Sequence, residues 1–482
     1  MFDVAVVGFG ATGVSLLRQL HSHIYEQDID DISIAIISPE ESFSLGLAFG
    51  QAEPFHKVNT PPELMGIDPE DPSGFSSWMR KETAGIERFP SRKVYSSYLR
   101  HIYQTMGNDK KLDIHEYHST ATDMDTTQGN IKIQLQDGRT VFAKRAVLAL
   151  GSITAPTFPP AEGISPILPK EISGMDVPET AFVAGTGLTA VDCVRSLVRA
   201  GCQEIHMFSR NGFAPTVISR SAEYSPEHFT WQNLKQELKE HQRGERLPHI
   251  IKLLRREIGR MRNPEVFQAN RLLDQGNLSG YWDYLLKRSE QGDLPFQDTL
   301  SSTRYFSHKV WRKLGEGERL DFQRYFGAFW ACWRHPIPVE VVQELNELAH
   351  MGRLKIHRPI APLRKQDGDF LLETRQSIIR ASALIDGTGG SSNVEKAASP
   401  LLQNMLARGL CKPHPCGGVR VDNLTYTLQN DLKEAGIYCL GPLAKGELFS
   451  TNAFWFNANC AANLAHLLAI QIRLDTHSET HT

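Results

Sequence analysis

The feature that most restricts this chain lies at residues 8–13. An apolar, largely β-branched run, Asp3 to Val7, enters Gly8-Phe9-Gly10-Ala11-Thr12-Gly13, and a helical pattern, Val14 to Leu20, follows directly. Gly8 permits the turn, Gly10 lets a pyrophosphate approach the backbone, and Gly13 lets the helix pack close to the strand. The helix N-terminus, at Ala11 and Thr12, then offers free amides and the positive end of its dipole to phosphate. The order strand, turn, helix predicts a dinucleotide cradle. The next strand, Ile32 to Ile37, ends at Ser38, where an acid often binds the adenosine ribose. Ser38 and Glu40 are both candidates for that contact.

A second strand-turn-helix follows at Ala181 to Ala184, with Gly185-Thr186-Gly187-Leu188-Thr189-Ala190 as its turn and Val191 to Ala200 as its helix. Ala replaces the third glycine, which the pattern tolerates. The following strand, Glu204 to Phe208, ends at Ser209-Arg210. A guanidinium there suits the 2′-phosphate of NADPH, whereas an acid would select NAD. Two cradles in one chain read as two dinucleotides, one flavin and one nicotinamide, placed for hydride transfer. Two further segments, Arg145 to Gly151 and Ser382 to Gly389, each run as an apolar strand into glycine. Two-dinucleotide flavoproteins pass between their domains on segments of that form.

Length and charge narrow the remaining choices. At about 150 residues per domain, 482 residues suggest three structural units. A net charge of −3 gives no long-range attraction to nucleic acid. No apolar run reaches the ~18 residues of a membrane span. The seven scattered cysteines are unlike a disulfide framework, so a reducing, cytoplasmic setting is expected.

The residues resemble the two-dinucleotide flavoprotein superfamily, and more closely the bacterial FAD/NAD(P)-binding proteins called YdhS-like. Beyond the cradles, the resemblance rests on Leu45-Gly46-Leu47-Ala48-Phe49-Gly50, on His56-Lys57-Val58-Asn59-Thr60-Pro61-Pro62, and on Phe89-Pro90-Ser91-Arg92. Later blocks are Ser209-Arg210-Asn211-Gly212, Trp333-Arg334-His335-Pro336 and Leu440-Gly441-Pro442. The resemblance implies FAD and NADPH as cofactors. It implies an α/β fold of two Rossmann-like domains, the FAD domain discontinuous (1–176 and 385–482) and the NADPH domain (177–384) inserted. A helical insertion is expected at about 222–340.

Val58 to Met65 is also similar to a segment of flavin-containing monooxygenases, in which an Asn lies beside the flavin and helps hold the C4a-(hydro)peroxide. That role falls on Asn59; the alternative is an Asn that caps a turn before Pro61. The implied activity is NADPH-consuming oxygenation of a small molecule, at an amine nitrogen or a sulfur, with molecular oxygen as co-substrate. A reductase serving another acceptor, or a redox-sensing protein with a protein partner, is the alternative.

The aromatic run Tyr325 to Trp333 abuts Arg334 and His335. It could wall a pocket in which Arg334 binds a carboxylate and His335 handles a proton, or it could be core. Cys411, His414 and Cys416 lack a fourth ligand at metal spacing and read as a loop with two inert thiols, so no metal is expected. The basic stretch 235–262 carries nine Lys or Arg against four Glu and reads as solvated helices packed on their own core. Near the end, Gly151 and the turn at Gly441 and Pro442 are expected to approach the flavin, with Asn452 opening a final helix beside it. No repeat beyond the two cradles is expected, and the tail from Asp475 is expected to fray.

Overall fold

Parallel strands buried on both faces need continuous apolar sequence. Val4–Val7 (β1) and Ile32–Ile37 (β2) supply it, and in the computed structural model they pair in parallel, with Val4 beside Ile34. The structure describes residues 1–479 apart from 28, 30, 31, 84, 86, 107–110, 128, 156, 159–162, 392 and 432–435, and no side chains at 478 and 479. It divides into two units, residues 1–155 with 390–482, and residues 156–389.

The first unit continues with Leu112–Tyr117 (β3), a meander of Ala121–Thr127 (β4), Asn130–Leu135 (β5) and Thr140–Ala143 (β6), and a return strand, Ala146–Leu148 (β7). The second unit holds Thr180–Ala184 (β8), Glu204–Phe208 (β9) and Leu354–His357 (β10). Its meander is Arg364–Gln366 (β11), Asp369–Glu373 (β12) and Ile378–Ala381 (β13), and Ala383–Asp386 (β14) returns. Ile437–Cys439 (β15) completes the first sheet. The parallel sheets run β15-β7-β1-β2-β3 and β10-β9-β8-β14, each accompanied by a three-stranded antiparallel sheet.

The two units therefore share one plan. In each, a strand, a helix and a second strand lead through a long connection to a third strand, a meander and a return strand beside the first. These are two Rossmann-like dinucleotide-binding regions with helical segments. The repeat is larger than the cradles alone, contrary to expectation. The meander strands, half-buried and rich in polar residues, give it no clear mark in the sequence.

The first division falls at 155/156 rather than 176/177 because residues beyond 156 pack with the second unit. Ile167 bridges in parallel to Ile385, and Ile164 and Ile172 lie in that unit's cores. The last helix, Phe454–Glu479, extends past the point where fraying was expected. Arg145, from the start of β7, donates to Asp475 at 2.6 Å and to Gln471 at 3.0 Å, which ties that end down. Residues 480–482 lie outside the described residues. Among the described residues no helix is long and apolar enough to cross a membrane.

The long connection of the second unit is helical from Trp231–Glu240 to Val339–His350. Its basic helix, Arg246–Arg260, buries Leu247, Ile250 and Leu253 and exposes its cations, as expected of a solvated helix. It also buries Glu257 completely. That carboxylate accepts the amides of Glu227, His228 and Phe229 at 2.6–2.9 Å and the Tyr224 hydroxyl. Burial pushes its pKa up, but the bonds from Tyr224, Phe229, His228 and Arg260 outweigh burial and hold it below the ordinary value. Glu265, also fully buried, accepts the amides of Phe296 and Gln297 and no side-chain donor among the described residues. Burial wins there and lifts its pKa to about 7.

The two acids have opposite linkage. Glu257 contributes stability above the unfolded value of about 4.3 and loses it as pH falls through its lower folded value. Glu265 favours the fold when protonated, so its contribution declines as pH rises from about 4.3 toward the folded value of about 7. Urea unfolding at pH 8 should show Glu257→Gln destabilised by about 3 kcal/mol. Glu265→Gln should be neutral or stabilised; equal losses in both would contradict this assignment.

Candidate functional site

At the first cradle Gly8 has φ +85°, and a Cβ there would lie 2.7 Å from the Ala149 carbonyl oxygen at the end of β7. Only glycine lets the strand tip meet the return strand so closely. Gly10 is the N-cap of Ala11–Glu26 at φ −96°, ψ −161°, and no side chain caps the helix. Its absent Cβ would stand 3.1 Å from Gly46 Cα, so the block at 45–50 packs on the turn backbone to backbone. A Cβ on Gly13 would touch the Phe9 ring at 2.9 Å and Gly8 O at 3.0 Å. The first-turn amides are thus left for an anion.

The second cradle repeats this construction. Gly185 has φ +104° and would place a Cβ 2.5 Å from the Gly387 oxygen, at the end of β14. Gly187 caps Leu188–Ala200 at φ −90°, ψ −166°, again with no side-chain cap. Nothing lies within 4 Å of a Cβ built on Gly187, which is exposed, so this turn faces open space. Gly151 and Gly389, each two residues past the contact, share positive φ of 73° and 79°. Thr189 Oγ1 stands 3.2 Å from a Cβ on Gly389.

Beyond β2, Ser38 is buried, its Oγ 3.4 Å from that of Ser42. Glu40 is exposed and pairs with His118 at 2.8 Å, which leaves Ser38 as the group inside the strand end. Beyond β9, Ser209 Oγ accepts the Thr186 hydroxyl at 3.2 Å and the Gly212 amide at 3.1 Å, locking turn to turn. Arg210 is exposed and has no hydrogen bond or ion pair with any described residue. It is a free cation at the strand end.

The terminal turn meets the first cradle. A Cβ on Gly441 (φ +77°) would lie 3.4 Å from Thr12 Oγ1, and half-buried Pro442 follows at the start of a 3₁₀ turn. Next, Phe449 sits at φ +66°, ψ −63°, with the Ser450 amide donating to Leu448 O at 2.8 Å. This is a strained γ-turn, and such strain clusters at functional sites. Asn452 is exposed. Its neighbour Thr451 is 1% exposed, and among the described residues neither its Oγ1 nor the buried Asn457 Oδ1 has a hydrogen-bond partner. Two unsatisfied polar atoms beside a helix start fit a bound polar group.

Asn59 is half-buried in a loop held at both ends. Val58 N donates to Pro90 O at 3.0 Å, and Tyr95 OH donates to Met65 O at 3.1 Å. Tyr95 packs on Phe49 and Phe454, with centroids 4.8 and 4.9 Å apart, which joins this loop to the start of the last helix. Gly441 and the first cradle therefore meet, in an arrangement that fits an FAD, and the loop that carries Asn59 packs through Tyr95 on the start of the last helix.

Residues 5–153 match a family model described as FAD-NAD(P)-binding. No curated protein sequence matches the chain. Among solved structures it is similar to the ornithine hydroxylase PvdA of Pseudomonas aeruginosa, with TM-score 0.58, 13% identity, and 98% and 99% of the two chains covered. An L-lysine 6-monooxygenase from Pseudomonas syringae gives TM-score 0.58 at 16% identity, covering 97% and 99%. A flavin-containing monooxygenase from Stenotrophomonas maltophilia gives 0.50 at 12%, covering 98% and 100%. At these identities the likeness establishes the fold.

Other expectations resolve within this FAD/NAD(P)-binding architecture. In the aromatic run, Trp333 is buried against Phe296 and Phe329, Phe329 and Trp330 are half-buried against the same core, and Tyr325 is 64% exposed, so one face of the stripe is core and the other is not. Arg334 and His335 end its helix, beside the segment leaving β9: Ile337 N donates to Thr216 O at 2.9 Å. Burial and then Arg334 lower the His335 pKa to about 4. The ring is neutral at pH 7, and its Nδ1 donates to Ala331 O at 3.2 Å, so Nε2 can accept a proton. Cys411 and Cys416 are buried thiols, and burial pushes the Cys411 thiol up to about 12.

Two cations escaped sequence reasoning. Arg304, half-buried near Arg334, lowers the Arg334 pKa to about 10 together with the larger effect of burial. Neither guanidinium pairs with a described carboxylate. Lys445, beside the Gly441 turn, is half-buried with no acidic partner among the described residues, and burial lowers its pKa. No spacing marks an unpaired cation. The glycine contacts give a direct test: Gly185→Ala should lower stability in urea by about 1–3 kcal/mol. Gly187→Ala should leave the urea midpoint nearly unchanged; equal losses would contradict the geometry.

Proposed function

We propose that this protein is an FAD-dependent, NADPH-consuming oxidoreductase that oxygenates a small molecule at an amine nitrogen or a sulfur. The observation that carries the reading is the duplicated cradle, in which Gly10 and Gly187 cap uncapped helices with nearly identical dihedrals. One adjoins the terminal turn at Gly441, and the strand after the other ends at a free arginine. The names of the similar structures, an ornithine hydroxylase and a lysine monooxygenase, favour an amine nitrogen. FAD would supply two-electron chemistry and activation of dioxygen, and NADPH would supply the hydride.

The chain's own groups have these roles. Amides of residues 11–13 bind the FAD pyrophosphate, Ser38 meets the adenosine ribose, and those of residues 188–189 bind the NADPH pyrophosphate. Arg210 grips the 2′-phosphate through a charged fork. Asn59 offers its amide to the oxygenation site, and buried Thr451 Oγ1 and Asn457 Oδ1 hold the polar edge of the flavin. Lys445 provides positive charge against which a reduced flavin is stabilised. Within the second unit, Arg304 and Arg334 form a pair of cations that binds an anion, and neutral His335 accepts a proton.

The test is NADPH oxidation in air with a panel of small amines, amino acids and thioethers, with oxygenated product measured against NADPH consumed. A ratio near one for some substrate is expected. NADPH consumption that yields only peroxide with every substrate would favour a reductase. Arg210→Ala should raise KM for NADPH about tenfold and leave that for NADH unchanged. Asn59→Ala should retain NADPH oxidation while peroxide replaces product. An unchanged product ratio would remove Asn59 from the site.

A further inference from the structure

The helical segment of the second unit contains a cluster that the proposed redox chemistry does not use. Helix Trp231–Glu240 is capped by Thr230, whose side chain accepts the Asn233 amide. Near its end Glu237 and His241 are one turn apart and share a face. The chain reverses through residues 242–245, and helix Arg246–Arg260 brings His249 back on its first turn. Buried Leu234 and Leu238 on one helix, and Leu247 and Ile250 on the other, fix the pair.

The result is a convergence of three donor atoms. His241 Nε2 lies 3.1 Å from Glu237 Oε2, and His249 Nδ1 lies 3.4 Å from the same oxygen. The imidazoles stack, with centroids 3.4 Å apart and planes 21° from parallel. One ligand atom from each residue falls within 4.8 Å of the others. The three side chains are 21–36% exposed, so the cluster is sheltered yet open to water on one side.

We propose that Glu237, His241 and His249 form a site for one divalent metal ion of the zinc class, which clips the two helices together. A tetrahedral ion with bonds of about 2.0–2.1 Å separates adjacent ligand atoms by about 3.3 Å, close to the spacings found. Two imidazoles and a carboxylate suit zinc and its neighbours rather than calcium or magnesium, which take oxygen ligands. The open side leaves the fourth position to water. Without an ion, two stacked rings compete for one carboxylate oxygen, and protonating both places like charges face to face. A dication satisfies both nitrogens and the carboxylate together. Arg246 does not compete for that carboxylate, since its guanidinium donates to the backbone oxygens of His241 and Lys313. Lys235, Lys239 and Arg243 lie nearby in sequence and oppose a cation electrostatically, so the donors must hold it by coordination.

The full-length protein, stripped with a chelator, would be titrated with zinc sulfate by calorimetry and with cobalt(II) by absorption. The expected result is one ion per chain, the visible bands of tetrahedral cobalt, and a zinc-dependent rise in Tm. Glu237→Gln, His241→Gln and His249→Gln should each weaken binding by at least the 10–100-fold that loss of an outer partner costs. Binding of the same strength in all three variants would overturn the site, as would no binding by the wild type. Should a variant fail to fold, X-ray absorption of the zinc-loaded wild type decides. Two imidazole ligands support the proposal, and an all-oxygen environment contradicts it.

Discussion

Two missing side chains set the geometry of this molecule. At Gly8 and again at Gly185, the tip of a central strand is pressed against the carbonyl of a return strand, where a Cβ would stand 2.7 or 2.5 Å from oxygen. That closeness directs the chain into a glycine-capped helix whose first-turn amides have no side-chain partner. From it follow the anion-binding character of both turns and the adjacency of β1 to β7 and of β8 to β14. The construction occurs twice with matching dihedrals, so the repeated cradle is a feature of the structure as well as of the sequence.

Around these equivalent turns the two units diverge. The first sets its cradle against the Gly46 backbone and the Gly441 turn, and the start of its last helix carries Thr451 and Asn457 atoms unsatisfied by any described residue. Lys445 is a cation without an acid, in surroundings that lower its pKa. The second leaves its cradle open at Gly187 and places an unpaired Arg210 at the neighbouring strand end. Polar atoms left unsatisfied carry a cost when buried, and Thr451 and Asn457 carry it at the start of the last helix. The strained γ-turn at Phe449 belongs to the same pattern.

Much of this was legible because local sequence determines it. Continuous apolar strands, glycine spacing and the run into helix fix β1, β2, β8 and β9 within a residue or so. The return strands were readable from Arg145 to Gly151 and Ser382 to Gly389. What escaped depends on partners remote in sequence. Arg145 anchors Asp475 from 330 positions away, so the tail looked loose although it is helical to Glu479. The unpaired state of Arg304 and Lys445 is a property of packing, and the meanders that enlarge the repeat are too polar and short to stand out. The run Tyr325 to Trp333 stayed open between pocket wall and core because aromatic density does not say which way a ring faces.

The central claim is that two carriers in one chain exchange electrons. Its most direct measurement is anaerobic rapid mixing of the FAD-loaded protein with NADPH while flavin absorbance is followed. The account predicts a saturable, first-order loss of the oxidised flavin band, faster with NADPH than with NADH. A chain that takes up no FAD, or a bound flavin that stays oxidised under saturating NADPH, would contradict it.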